Sequence, residues 1–177
     1  MSLSNPNKQG SVPNPMAVLN GYLWDAMKTM DPELDAYYAG VTPIIPLHDS
    51  SGGNLPWGNK PYLVYNRIFK RPTSPFYPIK RVSFFYTLKS DVKSTIEWTG
   101  AIQMILDRQD DSAKDINAWN AQKYADGNWD QPVFFHETRI YQIERTDARD
   151  YAVDPNQETQ FMIDAKYHFT KGIKEYL

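Results

Sequence analysis

The chain has 177 residues, about one domain's worth, of which 41% are apolar and 23% charged. A chain of this length buries roughly 70% of the surface that its unfolded form exposes, so it needs no metal or disulfide staple. Zero Cys excludes disulfides, zinc–thiolate sites and thiol catalysis, and a net charge of −2 predicts no general affinity for nucleic acid or anionic lipid.

The sequence from Met1 to Pro15 lacks the apolar core of a signal peptide, and no apolar run is long enough to span a membrane. A soluble intracellular protein is therefore expected. Residues 1–14 (MSLSNPNKQGSVPN) have almost nothing to bury and read as a flexible arm ahead of a single domain over 15–177. Asn14–Pro15 is a helix start. Behind it Leu19, Tyr22, Leu23, Ala26, Met27 and Met30 recur at three- and four-residue spacing as one apolar stripe. Gly21 lowers the propensity of that helix slightly. Asp31–Pro32 restarts a short turn or helix that Gly40 ends.

Val41 to Pro61 (VTPIIPLHDSSGGNLPWGNKP) is rich in Pro and Gly and reads as an extended connector. Tyr62 to Phe69 is aromatic and β-branched, a strand. Lys70–Pro78 (KRPTSPFYP) breaks it. Ile79 to Leu88 is a second strand, with Val82, Phe84, Tyr86 and Leu88 alternating against a mixed face. Ser90–Asp91 starts a second long helix, with an expected stripe of Val92, Ile96, Thr99, Ile102, Ile105 and Leu106. A short helix carrying Ala113, Ile116 and Trp119 follows, and Asn120–Gln131 reads as a loop. Pro132 to Arg145 is a third strand, long enough to expect a bulge, and Thr159 to Thr170 alternates as a fourth. The resulting order is α-β-β-α-β-β.

Few residues combine into chemistry. His48, His136 and His168 are scattered and fall short of a metal site. The run His48–Asp49–Ser50 has hydrolase residue types, but adjacent residues cannot adopt base–nucleophile geometry. Asp107, Asp110, Asp111 and Asp115 form an acidic cluster without the glycine and alternation of a calcium loop; helix capping accounts for Asp110 and Asp111.

Charge is unevenly distributed. Residues 1–49 hold two basic and five acidic side chains, a net of −3, and residues 91–177 hold ten and sixteen, a net of −6. Residues 50–90 hold Lys60, Arg67, Lys70, Arg71, Lys80, Arg81 and Lys89 with no acid, a net of +7. Lys70, Arg71, Lys80 and Arg81 flank the turn between the first two strands, interleaved with Phe69, Phe76 and Tyr77. They are the candidate docking patch, facing either phosphates or an acidic protein surface, including a neighbouring copy's own acidic face. Edge charges that block aggregation are the plain alternative.

The order and texture of these segments resemble the tail terminator, or neck, family of tailed bacteriophages. The resemblance rests on the N-terminal amphipathic helix, Val41–Thr42–Pro43–Ile44–Ile45–Pro46, and Pro61–Tyr62–Leu63–Val64–Tyr65. It continues through Tyr77–Pro78–Ile79–Lys80–Arg81 opening the strand VSFFYTLKSDV, the helical run EWTGAIQMILDRQDDSAKDINAW, and two closing strands. It covers about Pro15 to Thr170. What it implies is an α+β subunit with a mixed or antiparallel four-stranded sheet and helices packed on one face.

The same resemblance implies a homo-hexameric ring in the virion neck, assembled in the host cytoplasm. The ring would cap the tail tube protein, hold the last tail sheath ring in a contractile tail, and dock the head-connector protein. Genomic DNA would pass through its lumen without sequence-specific binding. Neither catalysis nor a cofactor is implied. The rival expectations are another neck component (a head-closure or tail-completion protein), an enzyme using the aspartates or histidines, and a DNA-binding module using the basic hairpin.

Overall fold

Alternation of apolar and polar side chains along residues 82–88 fixes which way the sheet faces. The computed structural model describes residues 15–47, 59–69, 80–90, 92–108, 110–125, 138–147 and 158–169. Its elements are α1 (Pro15–Met30), α2 (Leu34–Tyr37), β1 (Ile44–Pro46), β2 (Tyr62–Phe69), β3 (Lys80–Lys89), α3 (Val92–Leu106), α4 (Asp110–Ala125), β4 (Thr138–Asp147) and β5 (Glu158–Phe169). The architecture is α+β, with one mixed five-stranded sheet in the order β1-β2-β3-β5-β4. Strand β1 runs parallel to β2, and the other neighbouring pairs are antiparallel.

Register gathers the core onto one face. Leu63 of β2 lies opposite Leu88, while Phe84 and Val82 face Ile163 and Ala165 of β5. Ile143 of β4 lies opposite Ala165 in turn. These side chains are buried in one cluster with Leu19 and Leu23 of α1, Trp98 and Ile102 of α3, and Ile116 of α4. Each large apolar side chain buried this way contributes roughly 1.5–3 kcal/mol relative to exposure. Tyr86, at the centre, donates its hydroxyl hydrogen to Asn20 Oδ1 of α1 at 2.6 Å, so the one polar tip in that row is satisfied. Burial pushes its phenol pKa well above the usual value.

Four features depart from the expected plan. The sheet has a fifth strand: Ile44–Pro46 lies inside the expected connector and pairs with Leu63, Val64 and Tyr65. As an edge strand β1 needs ladder partners on one side only, which is how Pro46 is tolerated. Parallel pairing also needs a connection of a dozen or more residues, and residues 47–61 provide it. The fourth helix is no short one. It runs through the expected loop start to Ala125, with Asn120 buried.

The stripe of α3 is also offset from expectation. Trp98, Ile102, Ile105 and Leu106 are buried, whereas Ile96 is 69% exposed. At 100° per residue Ile96 stands about 200° from Trp98, on the opposite side of the helix. In α1, Met30 ends the expected stripe but is exposed. The expected bulge is present, between Ile140 and Gln142 of β4.

Strand β4 is the other edge of the sheet. Asn117 of α4 covers it at the bulge: its Nδ2 donates to the Ile140 carbonyl at 2.6 Å, and Ile140 N–H donates to its Oδ1 at 2.9 Å. One amide thus supplies the donor and acceptor that a sixth strand would have supplied. The turn between α3 and α4 is closed by buried Ser112, whose hydroxyl donates to the Ile105 carbonyl at 3.1 Å. This satisfies an end-of-helix acceptor. Among the described residues no helix is long and apolar enough to cross a membrane.

Helices α1 and α4 meet at Gly21. A Cβ at that position would lie 2.7 Å from Cη2 of the Trp119 ring. Gly21→Ala would gain up to about 1 kcal/mol of helix propensity, but it drives a carbon into a ring that is held in place. We predict net destabilisation of roughly 1–3 kcal/mol, read as a lower denaturation midpoint at unchanged m-value. Equal or greater stability of the variant would show that the indole moves aside freely.

Candidate functional site

The expected docking patch divides. Lys70 and Arg71 lie outside the described residues. Lys80 and Arg81 open β3, with their backbones opposite Tyr167 and Lys166 of β5. The polar arm at 1–14, His48 with its neighbours Asp49 and Ser50, and His136 also lie outside the described residues. His168 sits on β5 opposite Arg139.

Asp107, Asp111 and Asp115 of the acidic cluster each have their own cation. Asp107 receives both Nε and Nη2 of Arg145 at 2.7 and 2.6 Å. Asp115 pairs with Arg108, and Asp111 pairs with Lys114 at 2.9 Å. Asp110 is the first residue of α4. Among the described residues no group of three or more His, Cys, Asp or Glu side chains converges as metal ligands do. The Arg145–Asp107 pair is structural: the Arg145 side chain is 6% exposed and ties β4 to the end of α3.

Two grooves mark the helical layer. The first, about 890 Å³, lies between the end of α1, α2 and α3. Its shape begins with Asp31–Pro32, which stops α1 and lets the chain double back. Asp31 Oδ1 accepts the Glu33 N–H at 3.1 Å, and α2 is then closed by Gly40, whose N–H bonds the Asp35 carbonyl at 2.9 Å. Gly40 adopts a left-handed φ of 73°, the conformation a helix C-terminus asks of glycine.

Tyr38 is the post of this corner. Its buried hydroxyl donates to the Pro61 carbonyl at 2.6 Å, and its ring makes edge contacts with Trp24 and Trp98 at 5.6 and 6.2 Å between centroids. Burial raises its phenol pKa strongly, with the neighbouring Tyr37 adding to the effect. Lys60 covers the Tyr37 ring at 4.3 Å and donates to the Tyr37 carbonyl. Met27, Met30, Leu34 and Trp98 line the groove, and Asp31, Glu33 and Glu97 stand on its rim.

The second groove, about 760 Å³, lies between α1, α3 and α4 and shares Met30 with the first. Its centre is Asp25. The carboxylate accepts from Lys123 at 2.6 Å, from Lys28 at 3.1 Å and from the Trp119 indole N–H at 3.1 Å. Burial pushes this carboxyl upward, but the three donors together outweigh it and hold it below its ordinary value. Lys28 also reaches Asp35 at 3.6 Å, linking α1 to α2.

These grooves have the attributes of a contact surface: polarisable and aromatic floors, charged rims, and large apolar side chains left in water. Met30, Tyr37, Ile96 and Met104 are all about half exposed or more. Sequence reading missed Tyr37, Tyr38, Trp98 and Asp25 as contributors. A signal existed for Trp98, at i, i+4, i+7, i+8 with Ile102, Ile105 and Leu106. None existed for Asp25, whose cations come from its own helix and from α4.

Two substitutions test these arrangements. The Asp25 pKa is lowered on folding, so its contribution is complete above the unfolded value near 3.9 and is lost as pH falls through the lower folded value. Asp25→Asn should therefore cost roughly 1–2 kcal/mol at neutral pH, with the gap to wild type closing as the pH falls below the ordinary carboxyl range. A gap that stays constant in pH-dependent denaturation would show that its charge is immaterial. Asp107→Ala, by removing both carboxylate bonds from a largely buried guanidinium, should cost roughly 1–3 kcal/mol. Unchanged thermal stability of that variant would show that the guanidinium is held by other partners.

Compared with known proteins, the chain matches no family model and no curated relative.

Proposed function

We propose that the chain is a structural protein of a tailed-phage neck: a tail terminator whose six copies close into a ring on the head-proximal end of the tail tube. The observation that carries this reading is the helical layer, where apolar side chains stand exposed between two charged-rim grooves. Such a layer suits association with protein better than turnover of a small molecule. Asp107, Asp111 and Asp115, three of the aspartates considered for chemistry, are engaged in separate ion pairs, which further favours a binding role. The α-β-β-α-β-β order, with α2, β1 and α4 added to it, is in keeping with the subunit that the resemblance implies.

In this reading the ring ends tube growth and offers its other side to the head connector. In a contractile tail it also retains the last sheath ring, while DNA passes through the lumen without base-specific contacts. Subunits of a ring meet through two different surfaces, because only a heterologous contact closes by rotation. A charge-segregated chain supports that arrangement, since complementary patches give register and partner choice more than raw affinity.

Immunogold labelling in negative-stain electron microscopy tests the reading on phage particles from the source organism. Gold confined to the head–tail junction is expected. Gold absent from particles, with the protein remaining free in the lysate, would overturn it. Label within the neck on particles whose tail tubes still end at normal length without the protein would reassign it to head closure or tail completion.

A further inference from the structure

The rim of the first groove carries a charge that its own surroundings leave largely uncompensated. Its described lining includes Asp31, Glu33 and Glu97 and no cation. The lysines nearby are engaged elsewhere. Lys60 is held on the ring and carbonyl of Tyr37, and Lys28 bridges Asp25 and Asp35. Lys93 reaches Glu97 only at 3.8 Å, with both side chains well exposed, a pairing of little strength in water. Beneath the rim, Met30 and Tyr37 leave about half their surface in solvent.

The natural complement is a segment that is basic, acid-free and punctuated by aromatic side chains. This chain contains one: residues 50–90, with Lys70, Arg71, Lys80 and Arg81 around Phe76 and Tyr77. Within one copy, the groove and the point where that segment leaves β2 lie at opposite ends of the strand. Pro61, which lines the groove, immediately precedes β2. The antiparallel register runs from Tyr62 opposite Lys89 to Phe69 opposite Val82, so the chain leaves β2 for the turn at the strand's far end. The eight residues of β2, at about 3.3 Å each, set the two ends roughly 25 Å apart.

Resting on the ring reading above, we infer that the groove between α1, α2 and α3 receives the basic β2–β3 turn of a second copy, in a head-to-tail contact. Each copy then presents an acidic socket near one end of the β2–β3 pair and a basic plug at the other. Aromatic side chains of the plug meet a floor of methionine and tyrosine, a surface that adapts to them. The contact is heterologous and propagates from copy to copy until the ring closes.

Reciprocal charge reversal in the full-length chain tests this. One variant carries Glu33→Lys and Glu97→Lys in the socket; the other carries Lys70→Glu, Arg71→Glu, Lys80→Glu and Arg81→Glu in the plug. Sedimentation velocity over a concentration series is expected to show wild-type self-association weakened at least about tenfold in each variant alone, from like charges meeting. An equimolar mixture should restore it. In the mixture each basic plug finds an acidic socket and each acidic plug a basic one, so copies alternate around the ring.

Circular dichroism and melting curves matching wild type would establish that both variants fold. If either variant fails to fold, the same readout is taken from the single substitutions Glu97→Lys and Arg71→Glu. Variants that assemble like wild type, or a mixture that fails to recover, would overturn the socket–plug assignment and leave the ring reading standing. A wild-type chain that never self-associates also overturns the assignment, and immunogold labelling then judges the neck reading separately.

Discussion

The absence of a side chain at residue 21 is the constraint on which the helical layer depends. The Trp119 ring occupies the space that a Cβ there would need, and this brings α4 against α1 with their charged faces in register. Once the indole is seated, its N–H reaches Asp25, and Lys123 from the next turn of α4 reaches the same carboxylate. Tyr22 closes the contact with an edge-on approach to Trp119 at 6.0 Å. A glycine that is unfavourable by propensity is thus required by packing, and the charges around Asp25 follow from the approach that it permits.

From α1 the order spreads in two directions. Toward the sheet, Asn20 receives the Tyr86 hydroxyl and fixes the helix over the central strand. Toward the surface, Tyr38 hangs the short α2 corner on the Pro61 carbonyl, just before β2 begins. The first groove is therefore built on the same frame as the core, and its walls do not depend on a free loop. Preorganised walls lower the ordering cost of association, which suits a surface meant to meet a partner repeatedly in one geometry.

Much of this plan was legible. β2 was read over its full extent because aromatic and β-branched residues fill it between prolines. β3 and β5 follow from two-residue alternation, and the bulge in β4 from length alone. What was not legible depends on tertiary partners. Ile44–Pro46 looks like connector because its strand character comes from lying beside β2. The polar 120–125 segment looks like loop because it carries no apolar stripe, and its place in the helix shows only in tertiary contacts such as that of Lys123 with Asp25. Ile96 was placed in the α3 stripe on residue type, although helical geometry turns it away from Ile102. The grooves themselves were invisible: Tyr38 meets Pro61, and Asp25 meets Trp119, only once the helices are stacked.

Charge shows the same gap between sequence and surface. The −6 of residues 91–177 suggested a broad acidic face, yet several of its sixteen acids stand against partners and do not face outward alone. Asp107 is held by Arg145, Asp115 by Arg108 and Asp111 by Lys114, and Asp164 accepts from the Ser83 hydroxyl. An acid with a cation against it projects little field beyond a Debye length of about 8 Å. Asp31 and Glu33, from the less acidic N-terminal part, stand instead beside an apolar floor and share a rim with Glu97. A carboxylate beside apolar surface is poorly screened from an incoming cation. Where acidic surface forms is thus set by where the fold leaves carboxylates without close cations, and a sum of charges along the chain does not locate it.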